Sequence, residues 1–338
     1  MAESKIPGSF PALVARERAG GDIRPEAGDC DADILRSEWS THIAPVELQL
    51  DYSCLNYKDA LSASGHKGIS PNYPHIPGID GFGRRLDTGE EVIVTGFDFG
   101  MGTPGGFGRY ARVPEDWLIP RPPDLSLIDA AAYGTAGVTA ALCIDALIHE
   151  GVKPESGPVL VTGATGGVGS IALSILSKLG YEVHALTGKA DRADWLKERG
   201  AAQVLERGAF DPKPDKPLLR PEYAGAVDTA GGAILHRILR SLKFDGAVAA
   251  CGMVAGTDLP TSIFPFILRG TRLIGIASAD SNRDKKARMW KKLAAEWNLP
   301  GLSAECHTSG LEELPGHIDA MLAGNISGRI IVDLREKR

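Results

Sequence analysis

The run from Val159 to Gly169, VLVTGATGGVG, passes from an apolar segment through clustered glycines into a segment with helical periodicity. Val168, Ile171, Ala172, Ile175 and Leu179 recur there at the spacing of one helix face. That order suits a phosphate. Glycines let the backbone turn sharply and approach a pyrophosphate closely, and the following helix offers its N-terminal N–H groups and positive dipole end to the charge. The strand before the turn, the helix closed by Gly180 and a second apolar strand at the right distance together point to a dinucleotide. That second strand ends in Ala185, Leu186, Thr187, Gly188 and Lys189, with Arg192 just beyond. A site for a free ribose 2′-hydroxyl places a carboxylate about 20 residues past the glycines. Thr187, Lys189 and Arg192 stand here instead, a hydroxyl and two cations suited to a 2′-phosphate through charge-assisted hydrogen bonds. The expected cofactor is NADPH, with ordinary solvated helix-start residues as the alternative reading of Lys189 and Arg192.

These residues need a scaffold. Candidate strands Val159–Thr162, Tyr181–Leu186, Ala202–Leu205, Gly225–Asp228, Gly246–Ala250 and Arg272–Ala277 alternate with helices or crossovers. The fold class expected is α/β, with a Rossmann doubly wound parallel six-stranded sheet. The first 125 or so residues differ: short apolar runs such as Val46–Leu50 and Val92–Thr95 are broken by Gly and Pro, a pattern of short strands and tight turns. The change of character at Pro122, Pro123 and Asp124 precedes a helical stretch, Leu127 to Leu147. Asp211 to Pro221 reads as a solvated connection, Arg283 to Asn298 as a charged surface helix, Leu311 to Ala323 as another helix and Gly328 to Leu334 as a closing strand. The domain boundaries expected are 1–125, 126–278 and 279–338.

The bulk composition is compatible with that division. A chain of 338 residues is long for one core. A net charge of −6 argues against a partner such as nucleic acid, and no apolar run approaches the roughly 20 residues that cross a bilayer. The first ten residues lack a secretory apolar core. The five cysteines are scattered without framework spacing, which fits reduced thiols and a cytoplasmic location.

The glycine turn also fits short-chain dehydrogenases, which need a Tyr with a Lys four residues later to lower the phenol's pKa. None of the seven tyrosines has one, and a whole domain precedes the turn. The layout resembles instead the medium-chain dehydrogenase/reductase superfamily. Its zinc alcohol dehydrogenases carry a Cys-His-x-Asp and a Gly-His-Glu segment in the N-terminal domain. The matching places here are Asn56, Tyr57, Lys58 and Asp59, and Gly78, Ile79 and Asp80. Asn56 and Ile79 replace a thiolate and an imidazole, so two donors of a catalytic zinc are missing. No metal is expected. Hydride chemistry without a Lewis acid suits an acceptor that polarises itself, an α,β-unsaturated carbonyl or a quinone.

Several segments are similar to the acrylyl-CoA reductase group, near the quinone oxidoreductases. They are Leu55 to Leu61, Ile76 to Asp80, Gly134 to Ala140, Thr162 to Gly169, Ala249 to Gly252 and Phe264 to Gly270. The resemblance implies a GroES-like β-rich domain plus the Rossmann domain, a homodimer through the Rossmann sheet edge near Arg272–Ala277, and NADPH-dependent reduction of an enoyl thioester. By position it implies that Thr187, Lys189 and Arg192 hold the 2′-phosphate, and that Ala164, Thr165, Gly166, Gly167 and Val168 hold the pyrophosphate. Thr135, Cys251, Gly252, Ala277 and Ser278 would frame the nicotinamide end, and Arg329 would reach the cofactor from the tail strand. Asn56 and Tyr57 would face the reacting carbons. Tyr57 stays open as proton donor, cleft wall or interface aromatic, with water or a ribose hydroxyl as other proton sources. Cys251 reads as a packed strand-end residue, and Asp80 as structural. The loop Gly100 to Gly106 is read as a wall of the substrate cleft. Arg84, Arg85, Arg269 and Arg272 are the cations available for a CoA phosphate. An enone or a quinone is the rival substrate, and an NADPH-binding sensor without turnover is the rival outside enzymes.

Overall fold

The computed structural model describes residues 4–36, 44–210 and 216–335. Positions 211–215 of the proline-rich connection therefore lie outside the described residues. The chain divides into two compact units: Met1–Thr135 with Ala279–Ala294 and Pro300–Arg338, and Ala136–Ser278 with Ala295–Leu299.

The first unit is built on strands β1 (Ser9–Glu17), β2 (Ile23–Asp31), β3 (Val46–Cys54), β4 (Asp80–Arg85), β5 (Glu91–Thr95), β6 (Tyr110–Val113) and β7 (Ile119–Pro120), with helix α1 (Tyr57–Ala63) between β3 and β4. β1 and β2 form an antiparallel ribbon of their own. Along β1, Phe10, Ala12, Leu13, Val14 and Ala15 are buried, and the first four join Leu48, Leu50, Val92, Val94, Phe99 and Phe107 in one apolar core.

Helix α2 (Leu127–His149) crosses the division between the units. It is apolar enough in length and composition to span a membrane, yet 83% of its most apolar stretch is buried, the situation of a core helix. Gly134 breaks it, with φ of 53° and ψ of −157°. The compact units part at Thr135 and Ala136, inside the helical stretch rather than at 125/126. The reason is local: the segment before the break packs with the β-rich unit, and a side chain at Gly134 would meet Arg329 and Asp80 at 2.8 and 2.9 Å.

The second unit follows as β8 (Val159–Thr162), α3 (Gly167–Lys178), β9 (Val183–Thr187), α4 (Ala193–Glu198), β10 (Ala201–Glu206), β11 (Tyr223–Asp228), α5 (Gly232–Ser241), β12 (Leu242–Ala250), α6 (Phe264–Arg269) and β13 (Arg272–Gly275). Its six strands lie in the order β10-β9-β8-β11-β12-β13, all parallel. This is the doubly wound order, and it reverses between β8 and β11. β8 and β11 are buried along their whole length, as strands covered on both faces must be.

The remaining chain carries α7 (Arg283–Ala294), β14 (His307–Ser309), α8 (Leu314–Leu322) and β15 (Ile330–Asp333). β15 runs antiparallel to the end of β3, Ile331 opposite Cys54, while β6 pairs with the start of the same strand. α7 is not the solvated helix its charges suggest. It buries Lys286, Met289, Trp290 and Leu293, one helical face. Lys286 is tolerated there because its Nζ donates to the carbonyls of Thr95 and Ala279, each at 2.7 Å, and lies 3.3 Å from the centre of the Phe97 ring. Burial pulls this ammonium down to a pKa of about 8.

Candidate functional site

In the second unit the residues singled out from sequence gather at the carboxyl ends of the parallel strands. Gly163 turns the chain at φ +56°, a conformation glycine enters without cost. The Gly166 N–H donates to the Gly163 carbonyl at 2.8 Å, and the Ser170 N–H donates back to Gly166 at 2.9 Å, the first bond of α3. Gly167, Val168 and Gly169 thus direct their N–H groups out of the helix end. A Cβ on Gly169 would lie 2.9 Å from Ala164 Cα, so helix and turn touch only because that residue is glycine. Ala164 is fully buried, its N–H donating to Leu186 at 3.1 Å, and Thr165 is nearly so. The cradle fits a pyrophosphate.

Asp228 organises this turn, and sequence reading passed over it. Fully buried at the end of β11, it accepts from Thr162 Oγ1 at 2.7 Å and from the Gly231 N–H at 2.8 Å. Burial raises its pKa. Thr229 donates from Oγ1 to the Thr162 carbonyl at 2.8 Å, tying β11 to β8 at the switch point. The detectable signal was a polar Thr162 closing an otherwise apolar strand.

Beyond β9, Thr187 is 2% exposed, and its hydroxyl oxygen accepts the Lys189 N–H at 3.0 Å and meets Thr165 Oγ1 at 3.3 Å. It orders the bend that presents Lys189. Burial, and second the Arg192 charge beside it, lower the Lys189 pKa. Arg207, just after β10, lays its guanidinium against Gly188, where any side chain would collide with it. It is a third cation on this side, and a basic residue directly after the third strand was the overlooked clue. Cys251 donates its N–H to the Asp228 carbonyl at 2.9 Å. Gly252 follows it against the Thr229 backbone. Ile276 extends the pairing of β13 to Ala250, and Ala277 and Ser278 come next; Ser278 Oγ accepts from Thr139 at 2.7 Å.

In the first unit Asn56, Thr135 and Arg329 meet around two buried carboxylates. Asn56 Nδ2 lies 2.8 Å from Asp80 Oδ2, 3.0 Å from Asp59 Oδ2 and 3.2 Å from the Cys54 carbonyl. Its Oδ1 accepts from Arg329 Nη1 at 3.1 Å. Asp59 reaches back along α1 to the Asn56 N–H at 2.8 Å and accepts the Ile79 N–H at 2.8 Å. Asp80 also takes Thr135 Oγ1 at 2.6 Å and the Cys54 thiol at 2.9 Å. Burial, with Asp80 close by, pushes Asp59 up to about 7 and lifts the Cys54 thiol well above its ordinary range.

Arg329 departs from the expectation of a cofactor contact. It is buried and donates to the carbonyls of Ala132 and Leu55, to Asn56 and to Cys54 Sγ. It is an internal clamp, needed because two carboxylates and a polarised thiol would otherwise lie uncompensated. Thr135 donates its hydroxyl to Asp80. Tyr57 stands apart from the cluster and is 47% exposed. The glycine loop at 100–106 packs on the turn carrying Asp80: Gly105 and Gly106 donate to Ile76 and Gly78, each at 2.7 Å. Its small residues serve that close approach.

A catalytic zinc does not fit these donors. Asn56 offers an amide with both ends engaged, Ile79 is buried hydrocarbon, and the Cys54 sulfur is a protonated thiol hydrogen-bonded to Asp80. The four candidate CoA-phosphate cations also have partners. Arg84 pairs with Asp51 at 2.9 Å, Arg85 with Asp87 at 2.8 Å, and Arg272 with Glu150 at 3.0 Å. Arg269 is buried and caps the carbonyls of Arg240 and Leu242, each at 2.9 Å.

Comparison with known proteins identifies the family. Residues 167–295 match a family model described as zinc-binding dehydrogenase. The chain is 40% identical over 333 residues to an acrylyl-CoA reductase, AcuI, of Ruegeria pomeroyi, covering 96% of this chain and 99% of that protein. It is 42% identical over 323 residues to the putative quinone oxidoreductase YhfP of Bacillus subtilis, covering 92% and 98%. The crystal structure of YhfP with NAD bound superposes with a TM-score of 0.91 at 38% identity, covering 97% of this chain and all of that one. That of Escherichia coli YHDH with NADPH gives 0.89 at 37% identity, covering 96% and 100%.

Proposed function

The chain belongs to the zinc-free branch of the medium-chain dehydrogenases/reductases and is an NADPH-dependent oxidoreductase, and from that premise we propose that it reduces an activated C=C. The substrate class is an enoyl thioester of the acrylyl-CoA kind or an enone, with hydride ending on Cβ and a proton on Cα. The observation that carries this reading is Asn56: an amide locked by Asp59, Asp80 and Arg329 stands where a metal-dependent relative places a thiolate. An acceptor that delocalises its own charge as an enolate needs no Lewis acid.

Bound NADPH supplies the hydride. Gly166, Gly167 and Val168 hold its pyrophosphate, and Lys189, Arg192 and Arg207 hold the 2′-phosphate, the Thr187 bend keeping Lys189 in place. Cys251, Gly252, Ala277 and Ser278 frame the nicotinamide end through backbone and small side chains. Asn56 acts as a positioning residue, because its amide hydrogens are already committed. The Cα proton then comes from Tyr57, the exposed phenol at the start of α1, or from water.

A quinone acceptor is the second reading. It is favoured by the pairing of Arg84, Arg85, Arg269 and Arg272 within the chain, since a CoA phosphate would have to compete with those partners. The test follows oxidation of NADPH deuterated at the transferred position with acrylyl-CoA, crotonyl-CoA, a simple enone and a quinone. Turnover with deuterium on Cβ of the saturated product is expected. Turnover on the quinone alone would sink the enoyl reading.

We infer further that two copies pair along the edge strand β13, where Leu273 is an exposed apolar residue and the preceding helix α6 exposes Ile267 and Leu268. Leu273→Glu should then yield monomers in light scattering, and an unchanged mass would exclude this edge.

A further inference from the structure

β14 and α8 bring three metal-ligating side chains together, none of them used by the reductase site. Glu313 precedes the first turn of α8 and His317 follows four residues later, so the two project from one helical face. The neighbouring positions Leu314 and Ile318 are buried in the apolar core, which anchors that helix and fixes where the face points. His307 opens β14, whose position is set by parallel pairing with β15, including its own N–H donated to the Arg329 carbonyl at 3.1 Å. The two imidazole rings sit 4.9 Å apart at 65°. One ligand atom from each of His307, Glu313 and His317 lies within 4.8 Å of the other two.

We propose that His307, Glu313 and His317 form a binding site for a divalent transition ion, Zn²⁺ by ligand type. Two imidazoles and a carboxylate are a recurrent zinc donor set, and bonds of about 2.0–2.2 Å put ligand atoms on a tetrahedron about 3.4 Å apart. Side-chain rotation alone closes the remaining gap, since His307 and Glu313 are exposed and free of core packing. The partial exposure leaves the fourth position to water. The ion would staple β14 to α8, and through β14 the segment that begins with Arg329.

The test uses the full, untagged chain stripped with a chelator and titrated with Zn²⁺ by calorimetry, and with Co²⁺ by absorption. Expected are one equivalent bound, a Co²⁺ d–d spectrum without thiolate charge transfer, and a rise in Tm of about 5 °C at a hundredfold excess over Kd. His307→Gln and Glu313→Gln, both at exposed positions, should each weaken binding by about 10-fold or more, and Cys306→Ser should leave it unchanged. Absence of saturable binding overturns the proposal. So does binding that survives His307→Gln and Glu313→Gln together, or that is lost in Cys306→Ser.

Discussion

Asp59 gives the sharpest test of the buried network, because its ionisation writes a pH dependence into folding. The carboxyl is fully buried and its pKa rises from 3.8 to about 7, by burial first and by Asp80 second. A folded-state pKa above the unfolded value means that the native state holds the proton more tightly. The associated stability is therefore complete below pH 3.8 and is lost as pH rises through about 7. At 1.36 kcal/mol per unit, the whole shift is worth about 4 kcal/mol, of which about 2–3 falls between pH 5 and 7. Asp59→Asn removes the titration. It also replaces an acceptor of the Asn56 N–H by a donor, so the variant starts from a lower stability; the informative quantity is the slope against pH. Urea unfolding followed by tryptophan fluorescence, with amide exchange at Ile79 as a local probe, should show the wild type losing stability relative to the variant over this range. Parallel profiles for the two proteins would refute the assignment of a proton to this site.

Other expectations follow from the same geometry. Asp80→Asn sets an amide hydrogen against the donors Thr135, Asn56 and Cys54 and leaves Arg329 less compensated, costing about 3–5 kcal/mol in chemical denaturation. Lys189→Ala and Arg207→Ala should each raise KM for NADPH about 10- to 100-fold and leave KM for NADH nearly unchanged, which steady-state kinetics with both cofactors will decide. Gly169→Ala drives a methyl into the Gly163 carbonyl, and to 2.9 Å from Ala164 Cα, and should cost about 1–3 kcal/mol, more than Gly166→Ala, whose nearest atom is at 3.3 Å, as read from their unfolding midpoints.

The dinucleotide unit was legible in one dimension because its determinants are local. A strand, a glycine turn and a helix are consecutive, and the absence of a carboxylate near Thr187 is a statement about neighbouring positions. The missing zinc donors at Asn56 and Ile79 were legible for the same reason. Tertiary structure alone decided what fills the space around Asn56. Asp59, Asp80, Thr135 and Arg329 come from α1, β4, the break in α2 and the approach to β15, and only the pairing of β15 with β3 carries Arg329 to Cys54. Sequence proximity could not show that Arg329 spends its donors inside the fold, nor that Lys286 lies on the buried face of a helix that reads as solvated. A charge declares itself in sequence, but whether it meets water, a ligand or a buried partner depends on residues far along the chain that the fold brings to it.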